Sequence, residues 1–327
     1  MKKFLLFLFS FFFGLGIFVF ILEMVGWQEV KNSLSVFNGW EGLLIIAITL
    51  LITIIGNWKW KEILGERGVS ISNKDLFGAY LTGFALMYLA PVLVWAGEFF
   101  RIYFLKNKKN VPWSKSMASV VIDRILEWTM SLAIIFASGI ILFFLIGLPP
   151  ARLAIVFGGA FILFLLGVLF FYFKCIKKES IVGIFIKDSN NRLHEVEKEV
   201  FEFFRLENKK MWLVVGISFL RVAIMYLRVL FLIFFLGKKI TLLPVLSILG
   251  FTYLAQTIPI PTSLGSHEAI QAFAFGSLGL GFSTATAFTM IIRGVETFVA
   301  LFGLLLLFKF WISLLKNKFF NKIDKAS

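Results

Sequence analysis

Residues that build the common soluble catalytic sites are scarce in this chain. A single cysteine, Cys175, excludes an intramolecular disulfide and a cysteine-based zinc cluster, and only two histidines, His194 and His267, are present. Neither a serine nucleophile elbow nor a Walker-type phosphate loop occurs. We therefore expect no metal and no cofactor. Without an ATP-binding loop, any transport would be passive, ion-coupled or driven by a partner.

Charge is also in short supply, whereas apolar residues are abundant. Charged residues are 16% of the 327 residues, hydrophobic residues are 59%, and 42 residues are phenylalanine. Several apolar runs reach the roughly 20 residues needed to cross a bilayer. The net charge of +14 could suggest a nucleic-acid partner. The basic residues fall in loops between apolar runs, which instead indicates the positive-inside bias of a cell-membrane protein touching anionic lipid.

The apolar runs predict the spans. Phe4–Leu22 resembles a signal peptide, but it is longer than the usual apolar region and no small-residue cleavage site follows, so we interpret it as a retained first span. The further predicted spans are Gly42–Trp58, Trp113–Leu148, Leu153–Phe173, Met211–Leu236 and Ser283–Phe308, of which the second, fourth and fifth contain charged residues. Arg192–Lys210, between Leu153–Phe173 and Met211–Leu236, has an apolar spacing that predicts an amphipathic helix on the membrane surface.

Two further apolar segments are broken. Leu242–Thr257 runs into Ile258–Ala269, which reads IPIPTSLGSHEA, before Ile270–Leu280 resumes. Its breaking residues are Pro259, Pro261 and Gly265, and the corresponding breaks in Phe77–Leu105 are Pro91 and Gly97. Proline disturbs a helix, and in lipid the freed backbone groups need protein or cavity water as partners. Both segments are therefore predicted to be interrupted at membrane depth.

Counting Lys and Arg in the loops separates two topologies. If all eight apolar segments cross, each side of the membrane carries 14 of these residues. If Phe77–Leu105 and Leu242–Leu280 instead enter and return on one side, the cytoplasmic loops hold 24 and the outer loops 4. The positive-inside rule favours the second arrangement. We therefore predict an all-α polytopic membrane protein with six full transmembrane helices, two re-entrant hairpins and both termini in the cytoplasm.

An internal repeat agrees with this arrangement. Arg124 and Glu127 recur 169 residues later as Arg293 and Glu296, and the broken segments correspond with one residue inserted. The two copies begin with spans of opposite direction, so the repeat is inverted, as in many transporters. The predicted single membrane domain, 1–327, divides into a first span and outer loop, repeat 1, a connecting span with the amphipathic loop, repeat 2 and a basic tail: 1–41, 42–148, 149–210, 211–310 and 311–327.

Charged residues at membrane depth form the candidate site. Arg124 and Glu127, three residues apart, share a helix face and can pair, and the same holds for Arg293 and Glu296. Intramembrane charges are costly and usually mark a functional site, although they could also neutralise one another and simply hold helices together. Arg221 and Arg228 share one helix face, and Arg228 could reach the interface instead. The substrate-binding candidates are Glu98, Arg101, Asp123, Arg124, Glu127, His267, Glu268, Arg293 and Glu296.

These residues carry a family resemblance. The chain resembles the flippase-like family that includes the transmembrane region of lysylphosphatidylglycerol synthase. The resemblance is carried by Gly97-Glu98 with Arg101, by Asp123-Arg124 with Glu127, and by the later segment from Pro259 to Glu268 followed by Arg293. The resemblance covers nearly the whole chain and implies movement of a lipid headgroup, such as aminoacylated phosphatidylglycerol, between leaflets. The soluble aminoacyltransferase domain of two-domain members is absent here, so synthase activity is not expected. His267 stands where the family often has arginine.

The sequence therefore leads to three functional hypotheses. The first is a flippase that moves an anionic or aminoacylated phospholipid, or a lipid-linked headgroup, across the cytoplasmic membrane. The second is a membrane-embedded transferase that uses the same carboxylates as acid and base. The third is a non-catalytic membrane partner of a separately encoded lipid-modifying enzyme, which would dock through Lys174–Lys210.

Overall fold

A computed structural model of the protein describes residues 39–89, 95–147, 150–185, 191–257 and 266–323. Within these ranges the chain is helical and contains no strand. The helices are α1 (Trp40–Glu66), α2 (Asn73–Leu89), α3 (Ala96–Lys109), α4 (Trp113–Ile146), α5 (Ala151–Lys177), α6 (Val182–Phe185), α7 (Asn191–Phe203), α8 (Lys209–Phe235), α9 (Leu242–Thr257), α10 (Ser266–Ser277) and α11 (Phe282–Ile323).

Five helices are long and apolar enough to cross a membrane, namely α1, α4, α5, α8 and the Thr284–Phe310 part of α11. They match five of the six predicted spans, and the predicted first span, Phe4–Leu22, lies outside the described residues. Two of these helices extend well beyond the apolar runs that predicted them. Helix α1 continues to Glu66, and α11 continues to Ile323, so much of the predicted basic tail is helical.

Each broken segment forms a pair of short helices that pack against each other. In the first pair, a Cβ on Gly97 of α3 would lie 2.2 Å from the carbonyl oxygen of Gly83 on α2, so glycine permits this close approach. In the second pair, Gln271 Nε2 on α10 donates to Thr252 Oγ1 on α9 at 2.8 Å. We name these pairs hairpin 1 (α2 and α3) and hairpin 2 (α9 and α10). The predicted breaks Pro91, Pro259, Pro261 and Gly265 fall outside the described residues.

The packing of the two predicted repeats is reciprocal. Hairpin 1 packs through α2 on α11, hairpin 2 packs through α9 on α4, and α1 packs on α8. The closest backbone approaches correspond through the 169-residue offset. Gly303 approaches the carbonyl oxygen of Leu81 in one interface, and Gly250 approaches that of Ile134 in the other. Each repeat thus packs its hairpin against the last helix of the other repeat.

Gly303 tests the tightness of this packing. A Cβ at this position would lie 2.4 Å from the Leu81 carbonyl oxygen and 2.7 Å from Ala85 Cβ, so α2 and α11 would have to separate. We expect Gly303→Ala to lower the free energy of unfolding by about 1–3 kcal/mol, the usual cost of overpacking. Unfolding in mixed detergent measures this change.

The matched control is Gly216→Ala in α8, where no atom lies within 4 Å of the new Cβ. Alanine favours a helix interior over glycine by about 1 kcal/mol, so this variant should be as stable as the parent or more stable. Equal destabilisation by the two variants would show that the α2–α11 contact is looser than described.

Helix α7 lies against the protein. Its apolar residues Val196, Val200 and Phe203 are buried in one cluster with Ala118 and Ile122 of α4. The prediction that the amphipathic segment lies with its apolar face on the membrane surface is therefore corrected. The spacing of apolar residues identifies an amphipathic helix but does not distinguish a lipid surface from a protein surface, and here α4 covers the face.

The Glu197 carboxylate of α7 binds the backbone and a side chain of the segment that precedes α7. Glu197 Oε1 accepts from the amides of Ile181 and Val182 at 2.6 and 2.9 Å, and its Oε2 accepts from Ser180 Oγ at 2.6 Å. Burial raises the pKa of Glu197, but these hydrogen bonds to the charged form outweigh it and the pKa lies below its ordinary value. The segment is thus held by an ionised glutamate at neutral pH.

Candidate functional site

A cavity of about 580 Å³ lies between the two repeats. All four helices of each repeat contribute to its wall, so neither repeat forms it alone. Its lining is mixed. The charged and histidine side chains are Glu98, Arg101, Arg124, Glu127, Arg221, Arg228, His267, Arg293 and Glu296, and the aromatic ones are Tyr80, Phe84, Tyr88, Trp95, Trp128 and Tyr253.

The first half of the site is built around Glu127 of α4. Arg124, one helical turn earlier, places Nη1 at 2.8 Å from Glu127 Oε2, and its Nε lies 2.8 Å from Glu98 Oε1 of hairpin 1. Arg221 of α8 places Nη1 at 2.6 Å from Glu127 Oε1. The two arginines and two glutamates therefore join α3, α4 and α8 in a continuous chain of ion pairs.

The second half has an equivalent arrangement. Arg293 of α11 pairs with Glu268 of hairpin 2. Arg228 of α8 places Nη2 at 3.1 Å from Glu296 Oε1. In both halves, the arginine of the Arg-x-x-Glu motif contacts a glutamate in the first turn of the second helix of its hairpin, so this contact follows the repeat. The glutamates of both motifs contact arginines of α8, which belongs to repeat 2 alone.

A third group has no equivalent in repeat 2. Asp123 Oδ1 lies 2.7 Å from Lys59 Nζ, and its Oδ2 lies 2.8 Å from Arg101 Nη1. All three side chains are at most 2% exposed. The Arg101 guanidinium also stacks at 4.0 Å over the ring of Trp60. One carboxylate thus holds two cations, and we call this group the Asp123 triad.

Repeat 2 carries uncharged residues at two of the three positions that correspond to the triad. Asp123 corresponds to Ile292 by the 169-residue offset, and Arg101 corresponds to Gln271 once the inserted residue is counted. Gln271 bonds to Thr252 within its own hairpin, whereas Arg101 reaches from hairpin 1 to α4. The two halves of the site are therefore similar in architecture and unequal in charge.

The structure places seven of the nine predicted site residues on the cavity wall. The remaining two, Asp123 and Glu268, stand behind it and hold the lining residues Arg101 and Arg293. His267 is 3% exposed, and its Nε2 has no hydrogen-bond partner among the described residues. Gly97, predicted as a hairpin break, is the second residue of α3 and lies within its first turn.

Three basic residues of the site were absent from the predicted set. Arg221 and Arg228 line the cavity and pair with its glutamates, and the Arg228 side chain is only 3% exposed, so it turns inward and not toward the interface. Their spacing of seven on one helix face was the available signal. Lys59 was assigned to a basic loop because it follows the apolar run, but α1 continues past it and buries it.

Metal coordination has no support among the described residues. No group of three or more His, Cys, Asp or Glu side chains converges there as metal ligands would. The carboxylates of the site contact guanidinium and ammonium groups instead. Arginine binds carboxylate and phosphate oxygens well, so the arrangement suits recognition of an anionic or zwitterionic group.

The apolar helices and the charged cavity define a multi-pass membrane protein. The chain belongs to the family described as the lysylphosphatidylglycerol synthase TM region, whose model matches residues 7–303. The family resemblance of the motif residues is thereby confirmed.

Two relatives span nearly the same length. The chain is 24% identical over 312 residues to the UPF0104 membrane protein MJ1595 of Methanocaldococcus jannaschii, covering 90% of each chain. It is 23% identical over 322 residues to the UPF0104 membrane protein PH1989 of Pyrococcus horikoshii, covering 91% of this chain and 94% of the relative. No solved structure matches the chain.

Proposed function

We propose that the protein moves a phospholipid or lipid-linked headgroup between the leaflets of the cytoplasmic membrane, as a transporter and not as an enzyme. The observation that carries this proposal is a cavity shared by both repeats and lined by five arginines and three glutamates among spanning helices. Charged groups this deep in a membrane protein usually mark a substrate path. A volume of about 580 Å³ is within the range of small-ligand sites.

The apolar lining provides for the acyl chains. Trp95 and Trp128 line the cavity, have ring centroids 5.7 Å apart and are 42% and 53% exposed. They therefore lie where the cavity meets the surface of the bundle. Since Glu98 and Glu127 stand beside them in the lining, a headgroup could occupy the charged interior while its chains stay among aromatic residues and lipid.

Two re-entrant hairpins remain part of the proposal. The four hairpin helices contain 12 to 17 residues. At 1.5 Å per residue they are about 18 to 26 Å long, below the roughly 30 Å of a bilayer core. The C-terminal end of α1 and the N-terminal end of α4 meet beside α7, because Arg67 pairs with Glu199 and its backbone carbonyl oxygen accepts from Lys115 Nζ. These contacts favour one common cytoplasmic end.

Cysteine labelling tests this topology. In a Cys175→Ala background, Lys108→Cys and Glu195→Cys should react with an impermeant maleimide only from the cytoplasmic side. Lys238→Cys, between α8 and α9, should react only from the opposite side. Labelling of positions 108 and 195 from different sides would contradict the re-entrant arrangement of hairpin 1.

Reconstitution tests the transport function. Purified protein is placed in vesicles that contain a headgroup-labelled fluorescent lipid, and dithionite is added outside. We expect the inner-leaflet label to become accessible faster than in protein-free vesicles or in vesicles with an unrelated membrane protein. Equal rates in all three preparations, for anionic, zwitterionic and aminoacylated lipids alike, would contradict the proposal.

A further inference from the structure

The charges of the site do not balance. Four arginines, Arg124, Arg221, Arg228 and Arg293, are paired with four glutamates, Glu98, Glu127, Glu268 and Glu296. The Asp123 triad adds two cations and only one carboxylate. With His267 neutral, the site therefore has one more positive than negative charge, and the excess lies in the triad.

Arg101 presents this excess charge to the cavity. Its side chain is 2% exposed and lines the cavity, and its Nε and Nη2 have no hydrogen-bond partner among the described residues. The contact with Trp60, with Arg101 Cζ 4.0 Å from the ring centroid, is a cation–π contact that supplies no hydrogen-bond acceptor oxygen to these nitrogens. A buried guanidinium with unused donors is costly unless a ligand or water completes it.

We propose that the cavity selects a headgroup with one net negative charge and holds its phosphate at Arg101. This inference rests on the proposed function and narrows its substrate class. A phosphodiester without an amine would neutralise the site. A zwitterionic headgroup would leave the excess charge in place, and a headgroup bearing an added amino acid with two amines would increase it. The substrate class is thus anionic phospholipid and not aminoacylated phospholipid.

Neighbouring donors support the same position. Arg221 and Arg228 each line the cavity with an Nε that has no hydrogen-bond partner among the described residues. One terminal nitrogen of each arginine is already held, by Glu127 and by Glu296 respectively, so each arginine can add its Nε as a donor without losing its ion pair. Arg101 has two such nitrogens and the uncompensated charge, which makes it the anchoring residue.

Two single variants distinguish phosphate binding by Arg101 from the effect of the excess positive charge. Arg101→Gln reproduces the Gln271 of repeat 2 and leaves Lys59 paired one-to-one with Asp123. Lys59→Met leaves Arg101 paired one-to-one with Asp123 and does not alter the lining. Because each variant retains a balanced pair, both should fold. Lys61→Met, a half-buried lysine outside the lining, is the matched control for loss of one positive charge.

Lipid binding is measured as the rise in thermal unfolding temperature of the detergent-solubilised protein. The probes are phosphatidylglycerol, phosphatidylethanolamine and lysylphosphatidylglycerol with matched chains, and glycerophosphoglycerol, the deacylated phosphodiester of phosphatidylglycerol, as the soluble phosphate. For the parent and Lys61→Met we expect phosphatidylglycerol to act at a concentration about tenfold or more below the other two lipids. Arg101→Gln should abolish this preference, Lys59→Met should weaken it, and Arg101→Lys should partly restore it.

The outcomes separate this inference from the proposed function. Preference for phosphatidylglycerol that depends on Arg101, without any lipid movement in vesicles, would support the inference and contradict the transport function. Lipid movement by a protein that binds lysylphosphatidylglycerol as well as phosphatidylglycerol, or better, would support the transport function and contradict the inference. If Arg101→Gln lowers stability but keeps the lipid preference, Arg101 is structural only and the inference is wrong. It is also wrong if the soluble phosphate binds as tightly as phosphatidylglycerol, since the site would then take a free anion.

Discussion

An Asp123→Asn variant should fail to accumulate as a folded membrane protein. Lys59 and Arg101 are each 2% exposed and both depend on this carboxylate. Removing it leaves two buried cations side by side without a counter-ion. Breaking one buried pair costs about 3–5 kcal/mol, because a charge is left uncompensated. Repulsion between the remaining cations adds to that cost, and a folded domain has only about 5–15 kcal/mol of stability in total.

The effect is measured as the yield of monodisperse protein after purification and as the midpoint of its unfolding transition. Asp75→Asn is the matched control, since Asp75 is 48% exposed and pairs with Lys109 at the start of hairpin 1. An exposed pair contributes about 0–1 kcal/mol, so this control should behave as the parent does. A combined Lys59→Met, Asp123→Leu, Arg101→Met variant should recover folding, since it removes all three charges together.

The triple variant also distinguishes two explanations for a failure of Asp123→Asn. If uncompensated charge is the cause, the uncharged replacement folds although it lacks every polar contact of the triad. If the triad is needed for its hydrogen bonds, the replacement fails as well. A stable Asp123→Asn protein would contradict the buried geometry of the triad itself.

The sequence predicted the parts of the fold that depend on local patterns. Continuous apolar runs identified α1, α4, α5, α8 and α11, because a helix that crosses lipid needs about 20 apolar residues. The Arg-x-x-Glu spacing predicted that Arg124 and Glu127 share a helix face, and their side chains lie 2.8 Å apart. Both features follow from the period and length of one helix.

Contacts between helices were harder to predict. Glu98 meets Arg124, and Glu127 meets Arg221, only because α3, α4 and α8 converge on one cavity. No spacing within a single helix encodes that convergence. Lys59 illustrates a second difficulty, since an apolar run ends where hydrophobicity ends and the helix does not. Residues just beyond such a run can still be buried by their neighbours.

The internal repeat could have supplied part of what was missed. Lys59 corresponds to Arg228 through the same offset that relates Arg124 to Arg293. Both residues are buried cations that pair with a carboxylate across a helix interface, Lys59 with Asp123 and Arg228 with Glu296. Applying the offset to every charged residue, and not to the motif alone, would have marked both positions. The same comparison would also have shown that the two halves differ in charge, because Arg101 of repeat 1 corresponds to Gln271 of repeat 2.

Replacing Arg124 and Arg293 by alanine together should abolish transport while the protein stays folded. Each residue is the motif arginine of its repeat, and each pairs with a glutamate in the first turn of the second helix of its hairpin. A charge-assisted hydrogen bond contributes on the order of 1.5–3 kcal/mol, so losing two from the path should slow transport by about 100-fold or more. Initial rates of lipid movement in reconstituted vesicles provide the measurement.

Folding should survive this double change because the site keeps other partners. Glu127 remains paired with Arg221, and Glu268 is 28% exposed, so water can solvate its carboxylate. Glu98 loses its Arg124 partner and is only 5% exposed, but it lines the cavity, where water can reach it. Because an unpaired buried charge costs about 3–5 kcal/mol, the unfolding midpoint of the double variant is measured beside its transport rate. The matched control removes two lysines from exposed ion pairs, Lys174→Ala with Lys210→Ala, and should transport at the parent rate. A folded Arg124→Ala, Arg293→Ala protein with normal transport would show that these arginines only hold the helices together.

The single variants extend the argument to the symmetry of the path. If a headgroup passes both halves of the cavity, each motif arginine contacts it in turn, and Arg124→Ala and Arg293→Ala should each slow transport. If the two contacts belong to successive steps, the slower step sets the rate, and the double variant should be about as slow as the slower single one. A double variant slower than both would show that the two arginines act in the same step. Loss of transport from only one single variant would confine the substrate to that half, and the other half would then serve to hold its hairpin in place.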